Sequence, residues 1–276
     1  MNRGGALRKA ADIPGFASDM QWSPGLRRML FLYAPGTSPV IASKVSNVRF
    51  IGAISRNGVR YGANAQAVAE VTFATGSFRV LTPPDLYVYT FELSHRGRRI
   101  AYTAAPAPDS ASGVIARMYI QPTATGARPK LIVNPETVKG PLHGVNIGLM
   151  RWAAADNQIF FIGGAMSNLG AIGGDIYSVQ TYGDRPVDLM SGGSAVSVWF
   201  RFMNPWSLFV SQIDHGKVAL NEYLYGGTYL RQTDGWASVP YMISNGRIPL
   251  AVSIAGGHVA YVGGASNHAQ IKPAGL

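Results

Sequence analysis

Cysteine is absent from the 276 residues, which excludes a disulfide framework, a thiolate metal site and a cysteine nucleophile. Charge is scarce as well: Asp, Glu, Lys and Arg together make up 14% of the chain, too little for a fold built from long solvated helices. No amphipathic helical run of useful length occurs, and Gly62–Thr72 alternates too weakly to count as one. No stretch of about eighteen apolar residues is present, so no segment is suited to cross a membrane as a helix. The first residues, Met1-Asn-Arg-Gly-Gly-Ala-Leu-Arg-Lys-Ala-Ala-Asp12, are basic but lead into no apolar core, so they do not read as a secretory leader. A cytoplasmic location is the resulting expectation.

What is present is glycine, 33 residues of it, in a chain that is 47% hydrophobic. Many glycines and few charges suit short buried strands joined by tight turns. The clearest stretch runs from Gly140 to Met190. Four short apolar runs sit inside it, Val145–Trp152, Gln158–Ile162, Asp175–Gln180 and Pro186–Met190. They are separated by Ala-Ala-Ala-Asp-Asn, by a Gly/Ser/Asn-rich loop and by Thr-Tyr-Gly-Asp. This order predicts strand, turn, strand, long loop, strand, turn, strand. Four antiparallel strands in one meander form one blade of a β-propeller.

Weaker copies of this blade recur along the chain. Met20–Tyr33, Phe91–Thr103, Met150–Ile162, Phe200–Ser211 and Val252–Val262 each place an apolar residue, a polar turn and an apolar strand in the same order. With Trp22, Leu93, Trp152, Phe202 and Ile254 taken as equivalent, the steps are 71, 59, 50 and 52 residues. Propeller blades recur at roughly 40–50 residues, so the first two intervals carry insertions. Second hairpins follow at Val68–Thr82, Met118–Ile132 and Asp175–Met190, with Thr-Gly or Tyr-Gly-Asp where a tight turn needs positive φ. The predicted fold is therefore all-β, a single WD/TolB-like propeller domain over residues 1–276. Its blades run roughly 15–82, 83–138, 139–192, 193–246 and 247–276, the last incomplete. A propeller left open exposes unpaired strand edges, which favours self-association or calls for a partner or further sequence.

The net charge of +10 is uneven. Residues 1–100 hold 13 Lys/Arg against 5 Asp/Glu, and the remainder 11 against 9. The basic residues are scattered or in short groups, Arg27-Arg28 and Arg96 with Arg98-Arg99. The aromatics alternate into strand cores and do not interleave with the charges, so nucleic acid is not the expected partner.

Trp22-Ser-Pro, Pro84-Asp-Leu-Tyr-Val-Tyr-Thr-Phe-Glu-Leu-Ser94, Arg99–Pro108, Gly163-Gly-Ala-Met-Ser167, Gly173-Gly-Asp-Ile-Tyr177 and Ser253–His268 together resemble the N-terminal propeller of bacterial serine peptidases. The family is the prolyl oligopeptidases, of the acylaminoacyl-peptidase and dipeptidyl-peptidase kind. Its blade turns read Ser-Pro-Asp-Gly, and here they appear as Ser23-Pro24-Gly25, Ser94-His95-Arg96-Gly97 and Ala154-Ala155-Asp156-Asn157. The turn acid is lost from most repeats, which is expected to loosen those turns. The resemblance implies a substrate-gating propeller that binds or admits peptide and meets an α/β-hydrolase domain. The alternative is a stand-alone TolB-like interaction module. The nucleophile elbow Gly-x-Ser-x-Gly does not occur. Gly193-Ser194-Ala195 runs on to Val196, and Gly264-Ala265-Ser266 to Asn267-His268. No enzyme activity is expected of this chain by itself.

Other candidate chemistry is weak. His95, His143, His215, His258 and His268 fall in different blades without ligand spacing, so neither a metal nor a cofactor is expected. Asp156, Asp175, Asp184 and Asp188 share a blade and could in principle do acid–base work, but turn and strand-start roles account for them. Ser266, His268 and Asp234 lack the context of a triad. The Gly163-Gly164, Gly173-Gly174 and Gly263-Gly264 pairs open no helix and cradle no phosphate. The binding expectation rests on geometry. The first strand of a blade lines the central channel, which nominates Arg151, Trp199, Phe200 and Arg201. The competing reading is that Trp199 and Phe200 pack between blades. The small-residue loops Thr103–Val114 and Gly163–Gly173 would emerge together on one face.

Overall fold

The computed structural model describes residues 9, 11–36, 54–56, 59–61, 65–107, 115–166, 172–239, 241–242, 258–264 and 270–275. Among them the one helical element is the 3-10 turn Pro24–Leu26, and no helix is long and apolar enough to cross a membrane. The chain gathers into two compact units, Met1–Gly113 with Tyr119–Lys130, and Val114–Met118 with Leu131–Leu276.

In the first unit, β1 (Gly15–Ser23) and β2 (Arg28–Pro35) form a hairpin, and β3 (Ile54–Arg56) pairs with β4 (Val59–Tyr61). β2 then pairs directly with β5 (Ala67–Thr72), which pairs with β6 (Ser77–Val80), giving the sheet order β1-β2-β5-β6. The extra length of the first interval therefore falls between the second and third strands of the sheet. A second antiparallel sheet follows from β7 (Tyr87–Leu93), β8 (Arg99–Ala105), β9 (Arg117–Pro122) and β10 (Lys130–Val133), in that order.

The core of this unit is one sheet face packed on the next. Leu30, Leu32 and Val68 meet Val88, Phe91, Ile100, Tyr102 and Ala104. Each large apolar side chain so buried stabilises the fold by about 1.5–3 kcal/mol relative to exposure. Alternation explains the choice: Phe31 and Tyr33, on the other face of β2, pack with Ala69, Val71 and Phe78.

In the second unit β11 (Asn146–Trp152), β12 (Gln158–Met166), β13 (Ile172–Gln180) and the two-residue β14 (Val187–Asp188) form the meander predicted from Gly140–Met190. β15 (Val196–Asn204), β16 (Ser207–Asp214), β17 (Lys217–Tyr225) and β18 (Leu230–Val239) form the next. These two sheets are joined by a single bridge, Gly174 opposite Ser197. Phe160, Ile162 and Ile176 of one pack on Phe200, Leu208, Val210 and Tyr223 of the other. Phe160 meets Phe202 and Tyr225 edge-on, each at 4.9 Å, and Leu230 N–H donates to Leu189 O at 2.7 Å.

Two backbone features set the strand spacing. His215 and Gly216 both have positive φ, 47° and 76°, the pairing that a two-residue hairpin turn requires, and they link β16 to β17 where Asp214 faces Lys217. Gly164 and Gly174 face each other across β12 and β13, and a Cβ on either would collide with the backbone oxygen of Gly173 or Gly163. Gly163-Gly164 and Gly173-Gly174 are thus close-approach residues.

A last sheet contains β19 (Tyr241–Met242), β20 (His258–Gly264) and β21 (Gln270–Gly275). Tyr241 and Met242, within the predicted fourth blade, pair here with Gly264 and Gly263. The predicted first strand of the fifth blade, around Val252–Ile254, lies outside the described residues, as do Ser266 and His268.

Candidate functional site

The first strands share an irregularity. β1 shifts register between Ser18 and Gln21, β7 between Val88 and Thr90, β11 between Gly148 and Arg151, and β15 between Ser197 and Trp199. Each bulge falls a few residues before the turn into the second strand. In β1 and β11 it holds a non-glycine residue at positive φ, Asp19 at 49° and Leu149 at 43°. Bulges re-aim the side chains that follow them and concentrate next to binding sites.

A polar residue stands between each bulge and the turn, Gln21, Glu92, Arg151 and Arg201, each directly before Trp22, Leu93, Trp152 and Phe202; Gln21 and Arg151 resume pairing directly after the bulge, Glu92 and Arg201 two residues later. In the first unit Gln21 and Glu92 meet. Gln21 Nε2 donates to Phe91 O at 3.0 Å and to Glu92 Oε2 at 3.4 Å, and Leu93 N–H donates to Gln21 Oε1 at 2.7 Å. Sequence reading passed over this pair, because Gln21 and Glu92 sit in otherwise apolar strands with no motif around them. Their shared offset from the turn was the available signal.

In the second unit Arg151 lies opposite Phe160 and Arg201 opposite Phe209, so the two arginines hold equivalent positions in consecutive sheets. Arg151 is half-buried and its Nη1 donates to Met150 O at 3.0 Å; Arg201 is exposed. Both aromatic nominees are buried. Phe200 is fully buried in the core and Trp199 is 4% exposed. After the bulge pairing runs on regularly, with Trp199 opposite Ser211 and Phe200 opposite Val210, so the two side chains lie on opposite faces and both faces are buried there.

The carboxylates of the third sheet divide as well. Asp184 caps its own turn by accepting from Arg185 N–H at 2.7 Å, and Asp188 accepts from Met190 N–H at 3.0 Å. Asp156 is buried, with φ +58° in the turn. Asp175 and Asp188 lie close enough to interact: burial first, and the Asp188 charge second, push the Asp175 carboxyl above the usual carboxylate range. Burial and the same two carboxylates push the Tyr177 hydroxyl far above its ordinary value, and Tyr177 hydrogen-bonds Asp188.

Among the described residues no group of three or more His, Asp or Glu side chains could hold a metal ion. His95, His143 and His215 are exposed. His143 Nδ1 lies 3.2 Å from Val138 O and His215 Nδ1 2.6 Å from Asp214 Oδ1.

No protein-family model matches the chain, and no curated protein sequence matches it. Solved structures do. A puromycin-hydrolyzing peptidase from Mycobacterium tuberculosis superposes with a TM-score of 0.61 at 14% identity, over 95% of this chain and 37% of the other. The β-propeller domain of the Trilobed protease from Pyrococcus furiosus gives 0.53 at 11% identity, over 95% of this chain and 70% of that one. An acylaminoacyl peptidase gives 0.52 at 12% identity, over 95% and 39%. The chain thus spans little more than a third of the length of the two whole peptidases. At these identities the likeness establishes the fold, a β-propeller of four-stranded antiparallel blades.

Proposed function

We propose that this chain is a non-catalytic propeller that binds or admits peptide as the gating partner of a serine-peptidase hydrolase domain. The observation that carries the reading is the superposition of 95% of the chain on just 37% of a puromycin-hydrolyzing peptidase. A domain of that size, with no Gly-x-Ser-x-Gly anywhere in its sequence, has the scaffold of such an enzyme without a nucleophile elbow.

Within it the first-strand arginines Arg151 and Arg201 are the binding groups. A guanidinium donates in a fixed planar fork suited to a peptide carboxylate or to backbone carbonyls. Rigid strands hold both, and the bulges ahead of them set their direction. Trp199 and Phe200 support them from the core and do not touch peptide.

The test is titration of a short neutral peptide with a free C-terminus into the full chain. Binding is expected to weaken about tenfold in Arg151→Ala and Arg201→Ala, and to weaken similarly when the peptide is amidated. Equal affinity for the free and amidated peptides, unchanged in both variants, would remove the arginines from the site.

A further inference from the structure

The turn end of the first unit is a second surface, built from four turns that the fold brings together. Phe73 N–H donates to Arg27 O at 3.1 Å, joining the β5–β6 turn to the β1–β2 turn. Gly97 is packed against Ser23 and Leu26, joining the β7–β8 turn. Thr123 N–H donates to Arg98 O at 2.9 Å, joining the turn after β9.

The segments Ser23–Arg28, Thr72–Ser77, Ser94–Arg99 and Pro122–Arg128 contain Arg27, Arg28, Arg96, Arg98, Arg99 and Arg128, and not one Asp or Glu. Glu70, on β5 just before the second of these turns, is buried and taken up by Arg28 and Arg79. Arg27, Arg98 and Arg128 are exposed. Beside them lies apolar surface. Trp22 is 50% exposed, Leu26 38% and Phe73 37%, and Trp22 and Phe73 touch edge-on at 4.9 Å. An exposed indole next to a one-signed rim is the composition of a protein-binding patch.

We infer that this turn end docks an acidic polypeptide segment carrying apolar side chains. Charge complementarity selects the acid: a surface with several arginines and no carboxylate steers a negative partner and repels a basic one. The shape of the apolar part selects polypeptide over nucleic acid. Trp22 and Phe73 meet edge to face, with Leu26 beside them, and present no pair of parallel rings on which successive bases could stack. The patch uses none of the residues assigned to peptide admission, so the two readings stand or fall separately.

The experiment is calorimetric titration of the full chain with three probes. They are a dodecapeptide alternating Asp/Glu with Phe and Leu, its Lys-for-acid counterpart, and an oligothymidylate of equal charge. The acidic peptide is expected to bind at micromolar Kd and to weaken roughly tenfold from low to physiological salt. The combined variant Arg27→Glu, Arg98→Glu, Arg128→Glu is expected to lose at least tenfold more, and Trp22→Ala about fivefold regardless of salt. Arg231→Glu, exposed on β18, serves as the control and is expected to bind as the parent does. Thermal melts check that each variant is folded, and Arg98→Gln alone replaces the combined variant if that one is not. Tighter binding of oligothymidylate, equal binding of the basic peptide, absence of acidic-peptide binding, or full affinity in the arginine variants would each overturn the inference.

Discussion

Glu70 offers the sharpest test of how the first unit is held together. It lies on β5 with its side chain 3% exposed, and it accepts from Arg28 Nη1 at 2.8 Å and Arg79 Nε at 2.6 Å. The two guanidinia then reach the neighbouring sheet. Arg28 Nη2 donates to Gly97 O at 3.0 Å and to Thr123 Oγ1 at 3.3 Å, and Arg79 donates to Thr123 O at 2.5 Å and Thr125 Oγ1 at 2.9 Å. One carboxylate thus anchors both arms of a clip between the two sheets. Removing one partner of a buried ion pair costs about 3–5 kcal/mol, because the charge left behind is uncompensated. Here Arg79 is 31% exposed and keeps access to solvent, whereas Arg28 is 14% exposed and would be left largely uncompensated, which places Glu70→Ala near the lower end, about 3 kcal/mol. Glu70→Gln keeps an acceptor and is expected to cost about 2 kcal/mol. For a chain of this size each kcal/mol lowers Tm by about 2–4 °C, so Glu70→Ala is expected to melt roughly 6–12 °C below the parent. The combined change Arg28→Met, Glu70→Leu, Arg79→Met removes all three charges together and is expected to fall within about 1 kcal/mol of the parent. Thermal melts by circular dichroism read all of these. A Glu70→Ala protein melting within about a degree of the parent, or a triple variant as unstable as Glu70→Ala, would refute the reasoning.

Other consequences are open to simple measurement. Gly164→Ala is expected to destabilise by about 1–3 kcal/mol in denaturant titration, because the new methyl collides with the Gly173 backbone oxygen and backbone yields less readily than a side chain. Asp175, whose folded carboxyl titrates above its unfolded value, lowers stability once ionised and is harmless when protonated. Asp175→Asn is therefore expected to raise Tm at neutral pH, with the gain shrinking as pH falls through the raised folded value and vanishing below the ordinary Asp range, near about 3.9; a gain that persists in acid would contradict this. Tyr102, pushed up by burial and by Tyr119 and Asp85, and Tyr177 are expected to stay un-ionised in alkaline spectrophotometric titration until the chain unfolds, and smooth titration of every tyrosine in the folded state would count against that burial.

The strand order was legible where alternation and turn chemistry agreed. Gln158–Ile162 alternates between two cores and ends at glycines, and it became β12. Tyr182-Gly183-Asp184 marked a turn, and Gly183 has φ 82°. The β3–β4 insertion was legible only as excess length, because nothing local says that β2 pairs with β5 across the intervening residues. Strand position nominates Trp199 and Phe200, and their burial depends on what packs on each face of the strand, which strand position alone does not encode. Glu70 reads as one acid in an apolar strand, and its partner Arg28 is 42 residues away, so its role depends on pairing that sequence spacing does not encode. The basic turn end has the same origin. The arginines are scattered along the chain, and folding gathers them.

The most direct test of the proposed non-catalytic, peptide-binding role is to follow a bound peptide by mass. A short peptide is incubated with the full chain, its binding followed by calorimetry and its mass by spectrometry. Saturable binding with the peptide recovered intact is the expected result. Cleavage that scales with the chain and is abolished by a serine-directed phosphonylating reagent would contradict it.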